Sequence, residues 1–328
     1  MKKGFTPTMK DVAAEAGVAL GTVSKVFNNI RVGESYRQRV EEAAEKLGYQ
    51  VNQYARGLRA NSTSTVALIL PGVDHPFFAA LAQYVNLALA QRDYRMLLYV
   101  TGRHPNVEQS CIHMVRQNKA DGIIGLTYNP ELQIDEDLPF VSFDRCFSPY
   151  IPCVSSDNYG GGRMAAEKLI ALGCKRLAFL RTGSSQPGET DKRGAGFEAA
   201  CQAHGIHYEM LRLNDGEDFD RFRLFFQSHM VRGKLEIDGL FCSTDQLAWQ
   251  IQNVLGALGQ RVPEDVQIIG FDGIRHFGSE SLYCSTIVQP VGKLAQTCVD
   301  LILSKDRSNI PALVCLPVSY ASGGTTRE

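Results

Sequence analysis

"TMKDVAAEAGVALGTVSKVFNN", residues 8–29, decides the fold of the amino-terminal part of this chain. Thr8 precedes a run of helix formers with Asp11 three positions on, the spacing of a capping box. Val12, Ala13 and Ala16 then share one helical face. Gly17 permits a tight turn, Val18 plugs the angle, and a second helix is predicted from about Leu20 to Asn28, burying Val23 and Val26 or Phe27. A third follows in "ESYRQRVEEAAEKLGY" (34–49), with Val40, Ala43, Ala44 and Leu47 as its stripe and Gly48 as its stop. Three such helices predict a helix-turn-helix domain, whose second helix enters the DNA major groove. A generic small helical bundle is the alternative that the pattern alone leaves open.

Charge agrees with the first reading. Residues 1–60 carry ten Lys/Arg against six Asp/Glu, whereas the rest of the 328-residue chain is acidic. A basic head on an acidic body suits contact with a polyanion. No apolar run approaches the length of a membrane span, and "MKKGFTPTMKD" has no apolar stretch behind its lysines, so no signal peptide is expected. Nine scattered cysteines without a Cys-x-x-Cys pair read as reduced core residues of a cytoplasmic protein.

"MKDVAAEAGVALGTVSKVFNN" followed by "LGYQVNQYARGLR" (47–59) resembles the head and hinge of the lac-repressor (LacI/GalR) family of transcription regulators. The resemblance implies a helix-turn-helix domain over 1–50, a hinge helix over 51–62 and a two-lobed α/β effector domain of the periplasmic-binding-protein type over 63–328. It implies that Leu20, Gly21 and Lys25 face base edges and that Thr22, Ser24 and Asn28 grip the backbone. In the hinge it implies DNA contact by Ala55, Arg56, Leu58 and Arg59, with Leu58 as the wedge that opens a minor-groove step. Two departures stand out. Ala19 replaces a common capping serine, a loss of about 1 kcal/mol, and Gly21 offers a base no side chain.

After "NSTS" the sequence alternates apolar strands with amphipathic helices. Strands are predicted at 65–71, 95–101, 121–127 and 139–144, then at 175–182, 237–244 and 266–273, with helices near 158–172, 191–204, 218–232 and 245–258. Such alternation indicates parallel sheets covered on both faces, here in two lobes, about 63–155 with 290–316 and about 156–288 with 317–328. Ligands of such folds bind at the carboxyl ends of strands. "GVDHPFF" (72–78) places Phe77 and Phe78 there, "FDR" places Asp144, and "IIGFDG" places Asp272. Arg193 opens a helix, and Thr244 with Asp245 stands where the resemblance implies an Asn-Asp pair. Asp245, Asp272 and Asp157 could equally be helix or turn caps, and the phenylalanines could be core. "DNYGGGR" (157–163) lacks the Lys-Ser/Thr of a phosphate loop and reads as a turn opening a helix.

No catalytic signature of a hydrolase, kinase, metalloprotease or dinucleotide enzyme is present. The expectation is therefore no enzyme, no cofactor and no metal. The expected partners are a near-palindromic double-stranded operator, a sugar-like effector and a second copy of the chain, with Trp249 at the subunit interface by resemblance. A purine co-repressor and an extracytoplasmic solute receptor are the alternative readings.

Overall fold

A computed structural model describes residues 7–27, 30–49, 63–102, 104–127, 129, 131–134, 138–146, 148–307 and 309–327. Asn28 and the hinge positions Ala55, Arg56, Leu58 and Arg59 lie outside the described residues. The chain divides into two compact units, Met1–Thr63 and Ser64–Glu328.

The first unit holds α1 (Met9–Ala16), α2 (Leu20–Phe27) and α3 (Glu34–Leu47). The backbone N–H and the hydroxyl of Thr8 both donate to Asp11 Oδ2, at 2.7 and 2.6 Å, closing the start of α1. Gly17 ends α1 with φ 60°, and a Cβ there would meet Arg39 Nη2 at 2.8 Å. That guanidinium, from α3, donates to the carbonyls of Ala16 and Gly17 at 2.6 and 3.1 Å. It thereby satisfies acceptors that a helix end leaves open and fixes the turn that sets the angle of α2. Val12, Val23, Val26 and Val40 are buried beneath the three helices.

The second unit is built on two six-stranded sheets. Its strands are β1 (Thr65–Leu70), β2 (Arg95–Val100), β3 (Gly122–Gly125), β4 (Phe140–Phe143), β5 (Cys153–Ser156), β6 (Arg176–Gly183), β7 (His207–Asn214), β8 (Met230–Val231), β9 (Lys234–Leu235), β10 (Gly239–Cys242), β11 (Gln267–Asp272), β12 (Ser285–Val288), β13 (Leu313–Leu316) and β14 (Ser319–Ala321). The helices are α4 (Pro76–Ala90), α5 (Pro105–Gln117), α6 (Asn158–Ala171), α7 (Lys192–Ala203), α8 (Asp220–Ser228), α9 (Asp245–Ala257) and α10 (Val291–Ile302).

The first sheet has the order β13-β5-β4-β3-β1-β2, with all its pairings parallel. The second runs β14-β12-β11-β10-β6-β7 and is parallel except for β14. The chain passes between the sheets after β5, after β12 (through α10, which packs on the first sheet) and after β13. Central strands such as β1, "TVALIL", are buried along their whole length, as expected of a strand covered on both faces. Edge strand β2 instead leaves Leu98 and Val100 exposed. Among the described residues no helix is long and apolar enough to cross a membrane.

Two sequence expectations need correction. The helix anticipated over 218–232 ends at Ser228, because Arg232 and Gly233 take positive φ and turn the chain into the β8–β9 hairpin. The cysteines are all free, but Cys146 and Cys315 are exposed rather than core. Strands β5, β7, β12, β13 and β14 were also not anticipated.

Candidate functional site

On α2, Leu20, Gly21 and Lys25 are exposed, and Thr22 and Ser24 are half-buried. Ala19 accepts the backbone N–H of Thr22 through its carbonyl at 2.8 Å, with no side chain to cap the helix. A Cβ on Gly21 would meet none of the described residues within 4 Å, so this helix presents a gap between a leucine and a lysine one turn on. Such a surface offers an apolar contact and one exposed cation to whatever it meets.

The second unit contains a cleft of about 190 Å³ at the carboxyl ends of strands from both sheets. The first sheet supplies Asp144 after β4 and, after β1, His75, Phe77 and Phe78 at the start of α4. The second supplies Ser243 and Thr244 after β10, Asp272 at the end of β11 and Gln289 after β12, with Arg193 from α7. All six effector positions expected from the sequence line this one cleft.

Asp144 and Asp272 are both buried and both hold positive φ, 51° and 125°. Positive φ is costly for a residue with a Cβ and marks sites where the surroundings impose the geometry. A chain of hydrogen bonds, closed by an ion pair, joins the two acids. Ser155 Oγ donates to Asp144 Oδ1 at 2.6 Å and receives Asn158 Nδ2 at 3.0 Å. Arg193 Nε donates to Asn158 Oδ1 at 2.7 Å, and its Nη1 donates to the Ser243 carbonyl while lying 3.8 Å from Asp272 Oδ1. The guanidinium stacks on the Phe271 ring at 3.6 Å, which fixes its plane. Gln289 Nε2 donates to Asp272 Oδ1 at 2.7 Å, and its Oε1 accepts from Ser156 Oγ, also at 2.7 Å.

Asp272 Oδ2 is buried and receives no hydrogen bond from the described residues. His75 Nε2, from the other sheet's side, stands 3.9 Å away. Burial raises the Asp272 pKa to about 7, with Arg193 and Gln289 pulling it down and Asp144 adding repulsion. Burial likewise raises Asp144, against the pull of Arg193 and Ser155. Asp245 also rises to about 7 through burial and then repulsion by Asp272. It faces inward, accepting from Thr286 Oγ1 and the Ile274 N–H at 2.6 Å each, and so ties α9 to the sheet. Of the caps weighed above, Asp157 is one, accepting from the Gly160 N–H at 2.8 Å.

Phe77 is mostly core, its ring 5.8 Å from that of Phe143, and Phe78 is half-buried 5.5 Å from the His75 ring. The Thr244 oxygen caps α9 by accepting from the Leu247 N–H at 3.1 Å. Trp249, on α9, is half exposed. Sequence reasoning did not single out His75, Asn158, Ser243, Arg145, Arg181 or Gln289 as site residues. The neighbour of Asp144 in "FDR" was the one readable hint, whereas Asn158 and Gln289 sit at chain crossings whose meeting point the sequence does not reveal.

Comparison with known proteins places both units. Residues 8–52 match the family model described as bacterial regulatory proteins, lacI family, and residues 63–302 match that of periplasmic binding proteins and sugar binding domain of LacI family. A sucrose operon repressor of Streptococcus mutans is 32% identical over 330 residues, covering 96% of this chain and 98% of that protein. A periplasmic binding protein/LacI transcriptional regulator from Alkaliphilus metalliredigens, solved with D-xylulofuranose, is 26% identical with TM-score 0.70, covering 81% of this chain and all of that one. The lac repressor dimer bound to operator has the same fold at 21% identity and TM-score 0.82, over 99% of this chain and all of that one.

Proposed function

Because the chain belongs to the LacI family of bacterial regulatory proteins, we propose that it is a cytoplasmic transcriptional repressor whose grip on operator DNA is set by a sugar. The single observation that carries the sugar reading is the buried, unbonded Oδ2 of Asp272 in the same cleft as Arg193, Asp144 and two phenylalanines. A buried acceptor without a donor costs about 1–3 kcal/mol, and a ligand hydroxyl placed there recovers that loss. Carboxylates accept hydrogen bonds from hydroxyls, the guanidinium donates to hydroxyl or ring oxygens, and Phe78 covers an apolar sugar face. The sugar relatives in name, a sucrose operon repressor and a D-xylulofuranose complex, support the same chemistry.

Binding across the cleft touches both sheets, so the ligand favours one arrangement of the two lobes over another. It shifts that equilibrium only by its difference in affinity for the two. On the DNA side, Leu20 and Lys25 read the major groove, Thr22, Ser24 and Asn28 hold phosphates, and Leu58 of each hinge in a dimer wedges one central step. Nothing in this division of labour requires a reacting group, and the role is regulatory rather than enzymatic. The test is to select operators from random duplex DNA with the purified chain, then titrate pentoses, hexoses and disaccharides against the complex. A near-palindromic consensus whose affinity one sugar changes at least tenfold is expected; a response to purines alone would overturn the sugar assignment.

A further inference from the structure

The cleft has a second, cationic end that a neutral sugar does not require. Arg145 follows Asp144, and Arg181 lies near the end of β6, with only 6% of its surface exposed; both line the cleft together with Gly183, Ser184, Gln186, Thr190 and Asp215. Arg181 Nη1 lies 2.9 Å from Asp191 Oδ1, and Arg212 Nη1 meets the same oxygen at 3.0 Å. The other oxygen of Asp191 accepts the Gly188 N–H at 2.7 Å. Two guanidiniums therefore share one carboxylate, a trio of net positive charge of which Arg181 lines the cleft. Arg145 adds a further cation beside it, donating to the Gln186 carbonyl at 3.1 Å while its side chain packs on Gly188. Asp215 supplies one opposing charge at this end of the cleft.

The local backbone leaves room for an anion. Gly183 takes φ 139° at the end of β6, a conformation suited to glycine, and a Cβ there would meet none of the described residues within 4 Å. The Arg212 guanidinium holds the Ser184 carbonyl at 2.7 Å, and Ser184 Oγ accepts the Gln186 N–H at 3.1 Å, so the 183–186 turn is fixed before any ligand arrives. Planar guanidiniums at a fixed turn match the oxygens of phosphate or carboxylate.

We infer that the effector is an anionic sugar, a phosphate monoester or a uronate, with its charged group at the Arg181–Arg145 end and its hydroxyls on Asp144, Arg193 and Asp272. This inference rests on the sugar reading above and names the class of sugar. Its measurement is calorimetric titration of the full-length chain with matched pairs: glucose, glucose 6-phosphate and glucuronate; fructose and fructose 6-phosphate; ribose and ribose 5-phosphate. One charged member should bind at least tenfold tighter than its neutral partner, and Arg181→Gln should reduce that ratio to less than threefold. The glucuronate arm distinguishes carboxylate from phosphate. A neutral sugar binding as tightly as its charged partner would overturn the inference and leave the sugar reading standing. A charge preference untouched by Arg181→Gln would overturn the placement. Failure of every sugar, neutral and charged, would overturn both readings.

Discussion

Arg193 Nη1 and Asp272 Oδ1 stand 3.8 Å apart, both side chains almost wholly buried, with Arg193 held flat on Phe271 and Asp272 held by Gln289. The pair is oriented by neighbours rather than by full mutual contact, so each group keeps capacity for a third partner. Asp272→Asn keeps the shape and the Gln289 bond but gives up the charged acceptor. It should weaken sugar binding about tenfold or more, since hydrogen bonds to charged groups are worth about 1.5–3 kcal/mol. Calorimetry checks the affinity, and an unchanged circular dichroism spectrum shows that the fold has survived.

The raised pKa of Asp272, about 7, gives binding a pH signature. Its carboxyl is largely protonated at pH 6 in the effector-free protein, whereas an unfolded aspartate ionises near 4. This group therefore adds stability that is full below about pH 4 and is lost as pH rises through 7. Sugar hydroxyls donating to Asp272 favour its ionised form, so binding should release protons and tighten between pH 6 and 8. Titrations in buffers of different ionisation enthalpy measure that release, and Asp272→Asn should abolish most of it. Asp245, raised in the same range by burial and by repulsion from Asp272, should contribute to the stability profile and take up part of the proton that Asp272 gives up on binding.

Lys25 is exposed one turn after the gap at Gly21. Lys25→Ala should weaken the selected operator by about 1–3 kcal/mol and erase the preference at one base pair in each half-site. Measuring affinities for operators substituted base by base checks this. A uniform loss across all duplexes, with the salt slope reduced by about 1, would instead mark a phosphate contact.

Much of this site was legible because strand-end positions in a doubly wound sheet are predictable from the apolar runs that precede them. Asp144 follows "PFVSF" and Asp272 follows "VQIIGF", and both enter the cleft. Thr8 with Asp11 and Gly17 were readable for a similar reason, since capping and αL turns are local. Asn158, Gln289 and Arg181 were not, because their roles come from contacts between segments far apart in the chain, such as Ser156 with Gln289. The short edge strands β13 and β14 escaped because few residues separate them and neither carries a long apolar run. Cys146 and Cys315 were misplaced because composition predicts average burial and cannot identify the exceptions.

Assembly is the fourth prediction. Edge strand β2 exposes Leu98 and Val100, α4 exposes Tyr84 and Leu87, and α9 exposes Trp249. Exposed apolar groups of this size are a common mark of association, and a palindromic operator calls for two copies. Sedimentation should show a dimer at micromolar concentration without DNA. Leu98→Lys combined with Trp249→Arg should shift it to monomer and weaken operator binding, with the circular dichroism spectrum unchanged.

The most direct measurement is operator affinity, by fluorescence anisotropy, with and without saturating effector, in the wild-type chain and in Arg193→Ala. Operator affinity of the wild type should change at least tenfold when effector is added. Arg193→Ala should bind operator as tightly as the wild type without effector and show no response at concentrations that saturate the wild type. A variant whose operator affinity still responds at the same effector concentration would contradict the claim that this cleft is where the sugar signal is received.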